Sequence, residues 1–328
     1  MPAVSRSPVD PTLFDPIPRP SFRHRLLVRA LPVVRRSGDL TDPEAERRRV
    51  LARRRAEPAG LPTWAVPGFT RRFAVERDDS AGFPSWVVTP RARAAGTSPG
   101  LTVLYLHGGG YAFGLDPFHL RWVCRLARAT GARIVLPDYP LAPEHTWRDS
   151  HEALVGLAGR YAVQAAEGGG ELVLAGDSAG GGYALSLAQA MRDTGGPRAA
   201  RTVLISPWVD LAGTTPEETA QATAGDPWLF VGKIDAYAGW WAGSEADLRR
   251  PEVSPGLGSL ADLPPTLLLG GTRDTLLPGF RLLVRRAAEA GWELTSVEEP
   301  GLLHVYPLLP LVPEADRAFR QVLAFLAR

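Results

Sequence analysis

A chain of 328 residues, 45% hydrophobic, is long enough for one large α/β domain with a smaller appendage and ample for a buried core. The single cysteine, Cys124, excludes an internal disulfide and any cysteine-based metal site, and its apolar helical surroundings read as a packed, inert thiol. The net charge of +2 conceals an asymmetry, with 15 arginines against 7 acidic residues in positions 1–72, a net +8, and −6 over the remainder.

The front of the chain reads as helical. Ser21 to Arg36 (SFRHRLLVRALPVVRR) is amphipathic enough to touch a membrane surface or a hydrophobic substrate, and Pro32 interrupts it, so a short cap helix is expected there. The arginines alternate with Asp and Glu and lack an accompanying series of aromatic residues, which favours solvated helix faces over a nucleic-acid-binding arm. Dimerisation or membrane contact through this basic segment stays open. The apolar run Leu31–Val34 is too short for a signal peptide, and no segment approaches the ~18 apolar residues of a membrane span, so no stable membrane insertion and a cytoplasmic location are expected.

From about residue 71 strands and helices alternate. Strands are expected at Arg71–Glu76, Ser85–Thr89, Leu101–Leu106, Ala132–Leu136, Glu171–Ala175, Arg201–Ser206, Thr266–Leu269 and Glu293–Val297. Helices are expected at Phe118–Ala129, Ser150–Ala166, Ala179–Arg192, Phe280–Ala290 and near Glu314–Ala327. Repeated βα crossovers imply a mostly parallel sheet with helices on both faces. Residues 207–260 break this rhythm with Pro, Gly, Thr and Trp and one helical piece near Pro227–Trp241. The expected organisation is residues 1–70 as N-terminal cap helices and arm, then one catalytic α/β domain over 71–328 with a cap insertion at about 207–260.

The stretch Leu172–Gly181 (LVLAGDSAGG) joins an apolar strand to an Ala/Leu-rich helix through Ser178, with Gly176 and Gly180 two positions to either side. That pattern reads as a nucleophile elbow, in which the serine takes a strained turn so that Oγ stands clear of the sheet, and small neighbours allow close backbone approach. A serine needs a base and an oxyanion site. His107-Gly108-Gly109-Gly110 directly follows the strand ending at Leu106, where side-chain-free residues either expose N–H groups at the sheet's carboxyl edge or form a flexible turn. In chain order Ser, Asp, His, the acid is Asp274, just past a buried strand, although a helix-capping aspartate would occupy the same place. His304 is the one histidine after the elbow. Its expected role is to take the Ser178 proton and return it to the leaving group, with Asp274 fixing the tautomer. Such chemistry needs no cofactor or metal, and no metal-ligand cluster is seen in the sequence.

These motifs resemble those of the bacterial hormone-sensitive-lipase-like (family IV) esterases of the α/β-hydrolase superfamily. The resemblance spans about residues 100–310 and rests on His107–Gly110, on Asp138–His145 (DYPLAPEH), on Gly176–Gly181 (GDSAGG) and on Ser206–Leu211 (SPWVDL). It implies the α/β-hydrolase fold, carboxylester hydrolysis through an acyl-enzyme, an oxyanion hole from the N–H groups of Gly109, Gly110 and Ala179, and a helical cap shaping the acyl pocket. Two positions depart from the family. Pro140 stands where arginine is usual, removing a charge that braces the segment, and Asp274 is followed by Thr275, Leu276 and Leu277 rather than by proline and an acidic pair.

Tyr111 and Phe113 follow the glycines and are expected to line the pocket. In the insertion Trp228, Phe230, Tyr237, Trp240 and Trp241 supply apolar surface, with Trp228 and Trp240 taken as pocket residues, since Trp240 and Trp241 cannot both face it. The expected partner is a small-molecule ester with a short to medium acyl chain, without nucleic acid, and a homodimer is compatible with the sequence. Hydrolysis of a lactone, an amide or an acetylated natural product on the same triad is the alternative. A non-catalytic small-molecule binding protein is the third reading, which the presence of His304 disfavours.

Overall fold

The computed structural model describes residues 11–17, 19–34, 38–40, 42–56, 60–92 and 100–328. Helices α1 (Phe22–Val34), α2 (Pro43–Ala56) and the single turn α3 (Phe69–Arg72) precede strands β1 (Phe73–Asp78) and β2 (Ser85–Pro90). Then come β3 (Thr102–Leu106), α4 (Pro117–Thr130), β4 (Arg133–Pro137), α5 (His151–Glu167), β5 (Leu172–Asp177), α6 (Ser178–Asp193) and β6 (Arg201–Ile205). A segment containing α7 (Pro216–Gly225) and α8 (Val231–Ala242) leads to β7 (Thr266–Arg273), α9 (Leu277–Ala290), β8 (Leu294–Leu303) and α10 (Pro313–Leu326).

The eight strands form one sheet in the order β1-β2-β4-β3-β5-β6-β7-β8, antiparallel at β1/β2 and β2/β4 and parallel elsewhere. This is the α/β-hydrolase fold. The period-2 alternation of each strand feeds two cores. Leu104, Leu106, Val135, Leu174, Leu204 and Leu268 point to one face with α5, α6 and α9, while Val103, Tyr105, Ile134, Val173, Val203 and Leu267 point to the other with α4 and α10. The parallel register that aligns Leu106 with Gly176 and Asp177 with Ile205 brings the carboxyl ends of β3, β5 and β6 to one edge.

Several boundaries differ from the sequence reading. Strand β8 runs on to Leu303, six residues beyond the expected end, and β7 runs on to Arg273, so Asp274 and His304 stand immediately at strand ends. Helix α7 is an addition; its sequence PEETAQATAG has no apolar stripe, and its start is marked instead by Pro216 and by Glu217 and Glu218 in the first turn, where they favour the helix dipole. The helical piece near Pro227–Trp241 begins only at Val231.

At the N-terminus, α1 keeps Pro32 within its last turn, so the helix is not cut there as expected; Arg35 and Arg36 lie outside the described residues. The buried His24 accepts at Nε2 from the Leu303 N–H (3.1 Å), and Ser21 Oγ donates to Glu314 Oε2 (3.0 Å), which seats α1 beside the end of β8 and the start of α10. Helix α2 instead meets α8. Glu46, buried on α2, accepts from the Tyr237 hydroxyl of α8 and from Arg49 Nε (2.7 Å). Among the described residues no helix is long and apolar enough to cross a membrane.

Candidate active site

Ser178 sits at the junction of β5 and α6 with φ +51°, the left-handed conformation expected of an elbow and costly for a residue with a side chain. The turn is crowded: a Cβ at Gly180 would overlap the carbonyl oxygen of Leu106, and one at Gly176 the carbonyl oxygen of Gly180. The Trp208 N–H donates to the Ser178 carbonyl (2.8 Å) and ties the elbow to the SPW segment after β6.

The structure brings Ser178, Asp274 and His304 together. His304 Nε2 lies 2.9 Å from Ser178 Oγ, and Nδ1 lies 2.8 Å from Asp274 Oδ2. Both Asp274 and His304 are buried. Burial pulls the His304 pKa down, but the Asp274 carboxylate and its hydrogen bond more than offset this, and the net shift is upward from 6.5. An imidazole so held can accept a proton from the serine and keep the resulting charge against a carboxylate.

The unusual loop after Asp274 is held by partners distant in sequence. Its own Oδ1 accepts from the Leu276 N–H (2.8 Å). Asp226, in the insertion, accepts at Oδ2 from both the Thr275 N–H (2.8 Å) and the Thr275 hydroxyl (2.9 Å), and at Oδ1 from the Trp228 N–H (2.7 Å). Burial and the neighbouring Asp274 raise the Asp226 pKa. On the histidine side, the Val305 N–H donates to Ser206 Oγ (3.1 Å), which gives the SPW serine a role in fixing the His304 loop.

Gly109 and Gly110 follow β3 with φ of +113° and +63° and border the same cavity as Ser178. Ala179 is buried in the first turn of α6, where N–H groups lack intrahelical acceptors. The arrangement therefore offers main-chain donors around the serine of the kind that hold a developing oxyanion. Tyr237 presses on this loop, since a Cβ at Gly110 would lie 2.8 Å from its Cδ2.

Beneath the elbow lies a polar network that sequence reasoning missed. Asp177, buried, accepts from the Tyr105 hydroxyl (2.6 Å) and the Gly108 N–H (3.0 Å), and its Oδ2 is 3.3 Å from His119 Nε2. His119 Nδ1 in turn lies 3.0 Å from both the main-chain nitrogen and Oδ1 of Asp116. Burial would lower the His119 pKa, but the carboxylates of Asp177 and then Asp116 push it up to about 10, while Asp116 falls to about 2. Asp177 thus ties the residue before the serine to the residue before Gly109 and Gly110. The DYPLAPEH segment supports the same loop, with Tyr139 stacked on His107 at 4.5 Å and its hydroxyl donating to the His107 carbonyl (2.7 Å). Where Pro140 lacks the family's charge, Arg54 of α2 reaches the segment, donating to the Ala142 carbonyl (2.8 Å) and pairing with Glu144 (2.8 Å).

A cavity of about 1180 Å³ opens over Ser178 and His304. Its far walls come from α2 and residues 60–64 on one side and from Trp228, Phe230 and Tyr237 on the other. Phe113 and Trp228 line it, and Trp228 meets the His304 ring edge-on at 6.1 Å. Tyr111 and Trp240 do not, contrary to expectation. The positive φ of Tyr111 (+58°) turns its ring into the core, stacked on Trp241 at 4.3 Å. On α8 the Tyr237/Trp241 face is the buried one, and Trp240 is left half-buried against Tyr237 (5.3 Å) outside the cavity. Among the described residues no group of three or more His, Cys, Asp and Glu is disposed to hold a metal ion.

A family model for the α/β hydrolase fold matches residues 103–308. Over 229 residues, covering 69% of this chain and 75% of the relative, the sequence is 37% identical to an acetyl-hydrolase of Streptomyces hygroscopicus. It is 32% identical to the carboxylesterase NlhH of Mycobacterium tuberculosis over 236 residues, 69% of this chain and 73% of that one. Among solved structures, EstE5 soaked in ethyl alcohol matches with TM-score 0.76 and 29% identity, over 94% of this chain and 98% of that one. An esterase from the bacterial hormone-sensitive lipase family matches with TM-score 0.75 and 28% identity, over 93% and 97% of the two chains.

Proposed function

The chain belongs to the α/β-hydrolase fold family, among its bacterial hormone-sensitive-lipase-like esterases, and is a carboxylesterase; from that premise we propose that it cleaves short to medium acyl esters through an acyl-enzyme formed on Ser178. His304 takes the Ser178 proton as Oγ attacks the ester carbonyl and donates it to the departing alcohol; water, deprotonated by the same imidazole, then releases the acid. Asp274 orients the ring and stabilises its charged form. The N–H groups of Gly109, Gly110 and Ala179 receive the oxyanion, where preorganised donors are each worth about 3–4 kcal/mol of barrier. The observation that carries this reading is the continuous contact from Ser178 Oγ to His304 at 2.9 Å and from His304 to Asp274 at 2.8 Å, at the floor of a cavity.

Helix α2, residues 60–64 and the 207–260 insertion act together as the cap, joined through Glu46 and Tyr237. The aromatic lining of the cavity, Phe113 from the loop after β3 and Trp228 and Phe230 from the cap, favours a compact acyl group, and the acetyl-hydrolase relative supports the acetyl end of that range. The partner is a small ester rather than a nucleic acid, and a homodimer is the one macromolecular association included, to be read by light scattering. The test is hydrolysis of p-nitrophenyl esters from acetate to palmitate by the wild type and by Ser178→Ala. Activity concentrated on short chains and reduced about a thousandfold or more in the variant is expected. Faster turnover of long-chain emulsions than of butyrate, or a variant that keeps its activity, contradicts the reading.

A further inference from the structure

Helix α1 is apolar on two opposite sides, and its docking onto the domain uses only one of them. Along FRHRLLVRALPVV, His24 is buried and Leu27, Val28 and Leu31 pack against the core beneath β8 and α10. At 100° per residue, Phe22, Leu26 and Val33 fall together on the side facing away, and they are 69%, 56% and 80% exposed. Arg25 and Arg29 border that stripe on one flank and Arg23 on the other, all three exposed, and the helix contains no acidic residue. Arg23 donates to the carbonyl of Leu311 (3.3 Å), which brings a further apolar side chain, 82% exposed, to the edge of the stripe. Exposed large apolar groups in a row are costly in water and mark a contact surface.

The surroundings say what that surface meets. Leu311 ends the segment whose Val305, Leu308 and Leu309 line the active-site cavity, so the stripe adjoins one wall of the site. At the cavity itself Trp64 and Phe118 are also exposed, at 77% and 44%. The first 72 residues carry the net +8 of a chain that is otherwise −6. An apolar helix stripe edged by arginines and without an acidic residue in its helix is complementary to a surface that is apolar within and negatively charged at its face.

We propose that the exposed side of α1, with Leu311, is a peripheral docking site for a membrane surface containing anionic lipids, which the apolar stripe enters at the level of the head groups while the arginines pair with lipid phosphates. The contact is reversible, and it holds the cavity wall next to a phase in which apolar esters concentrate. It is independent of which ester is cleaved.

The test is co-sedimentation of the full chain with vesicles of phosphatidylcholine alone and of an equal mixture with phosphatidylglycerol, at low and high salt. Wild type is expected to bind the anionic vesicles, weakly the neutral ones, and to be released by salt. Phe22→Ser/Leu26→Ser is expected to lower the anionic-vesicle partition at least about tenfold, the effect of losing one to two buried apolar side chains. Arg25→Gln/Arg29→Gln is expected to abolish the preference for anionic lipid. Hydrolysis of soluble p-nitrophenyl butyrate by the Phe22/Leu26 variant, unchanged from wild type, reports that it is folded. Absence of wild-type binding to anionic vesicles overturns the proposal, as does undiminished binding by the Phe22/Leu26 variant. Light scattering that finds a wild-type dimer dissociated by Phe22→Ser/Leu26→Ser, without vesicle binding, overturns it in favour of a second copy as the occupant.

Discussion

Replacing Asp177 by asparagine removes the carboxylate that contributes more of the two to holding His119 in its protonated form beneath the candidate nucleophile. Raising that pKa from 6.5 to about 10 corresponds to about 4 kcal/mol of folding stability at pH 7, since one pKa unit is worth about 1.4 kcal/mol. Asp177 precedes Asp116 among the groups that raise it, so the substitution is expected to cost about 3 kcal/mol, in line with the loss of one partner from a buried ion pair. The sign with pH is fixed: a histidine whose folded pKa is raised contributes fully below 6.5, and the contribution disappears as pH climbs through about 10. Urea unfolding of the wild type and Asp177→Asn, followed by tryptophan fluorescence, should show the gap of about 3 kcal/mol at pH 7 falling below about 1 kcal/mol near pH 10. A gap that is small, or equal at both pH values, refutes a charged His119. It would mean that Nδ1 accepts from the Asp116 N–H, which lies at the same 3.0 Å as the Asp116 carboxylate.

Other outcomes follow from the same geometry. Because His304 must be neutral to accept the Ser178 proton and its pKa is raised, kcat/KM of the wild type should rise with pH through a midpoint above 6.5. Asp274→Asn should move that midpoint down and lower the plateau by about a thousandfold or more; an unmoved midpoint contradicts the assignment. Gly110→Ala places a Cβ at φ +63°, 2.8 Å from the Tyr237 ring, and should lower kcat about a hundredfold while circular dichroism stays native; retained kcat would remove Gly110 from the oxyanion site. Tyr237→Phe releases Glu46 from its hydroxyl donor, and should cost about 1 kcal/mol in urea unfolding and lower kcat more than it raises KM. An effect on KM alone would show that Tyr237 shapes the pocket without positioning Gly110.

Most of the sheet was legible because its parallel strands are continuous apolar runs bounded by turn residues, and the helices beside it carry a one-sided apolar period. The ends of β7 and β8 were not, because the continuation Gly270–Arg273 and Glu298–Leu303 contains glycines, charges and a proline whose pairing is set by the neighbouring strand. Helix α7 lacks periodicity altogether, and only its capping chemistry signals it. Within the site, Ser178 and His304 were legible from strand-end position and chain order. What holds Asp274 was not, since Asp226 is 49 residues from Thr275 and no local pattern links them. The same reasoning accounts for the pocket. Tyr111 was assigned to the cavity by adjacency to the glycines, but a positive φ, invisible in sequence, turns it inward. For Trp240 and Trp241 the phase of α8 decides, and it is set by the stacking of Trp241 on Tyr111.

The most direct test of the account is whether an acyl group is carried on Ser178. The protein, mixed with p-nitrophenyl butyrate and quenched in acid within the first turnover, is digested and weighed by mass spectrometry. One butyryl group on the peptide containing Ser178, absent in Ser178→Ala and strongly reduced at the same quench time in His304→Ala, which lacks the base for Oγ attack, is the predicted result. Ester cleavage without any acylated peptide, or acylation at another residue, would contradict it.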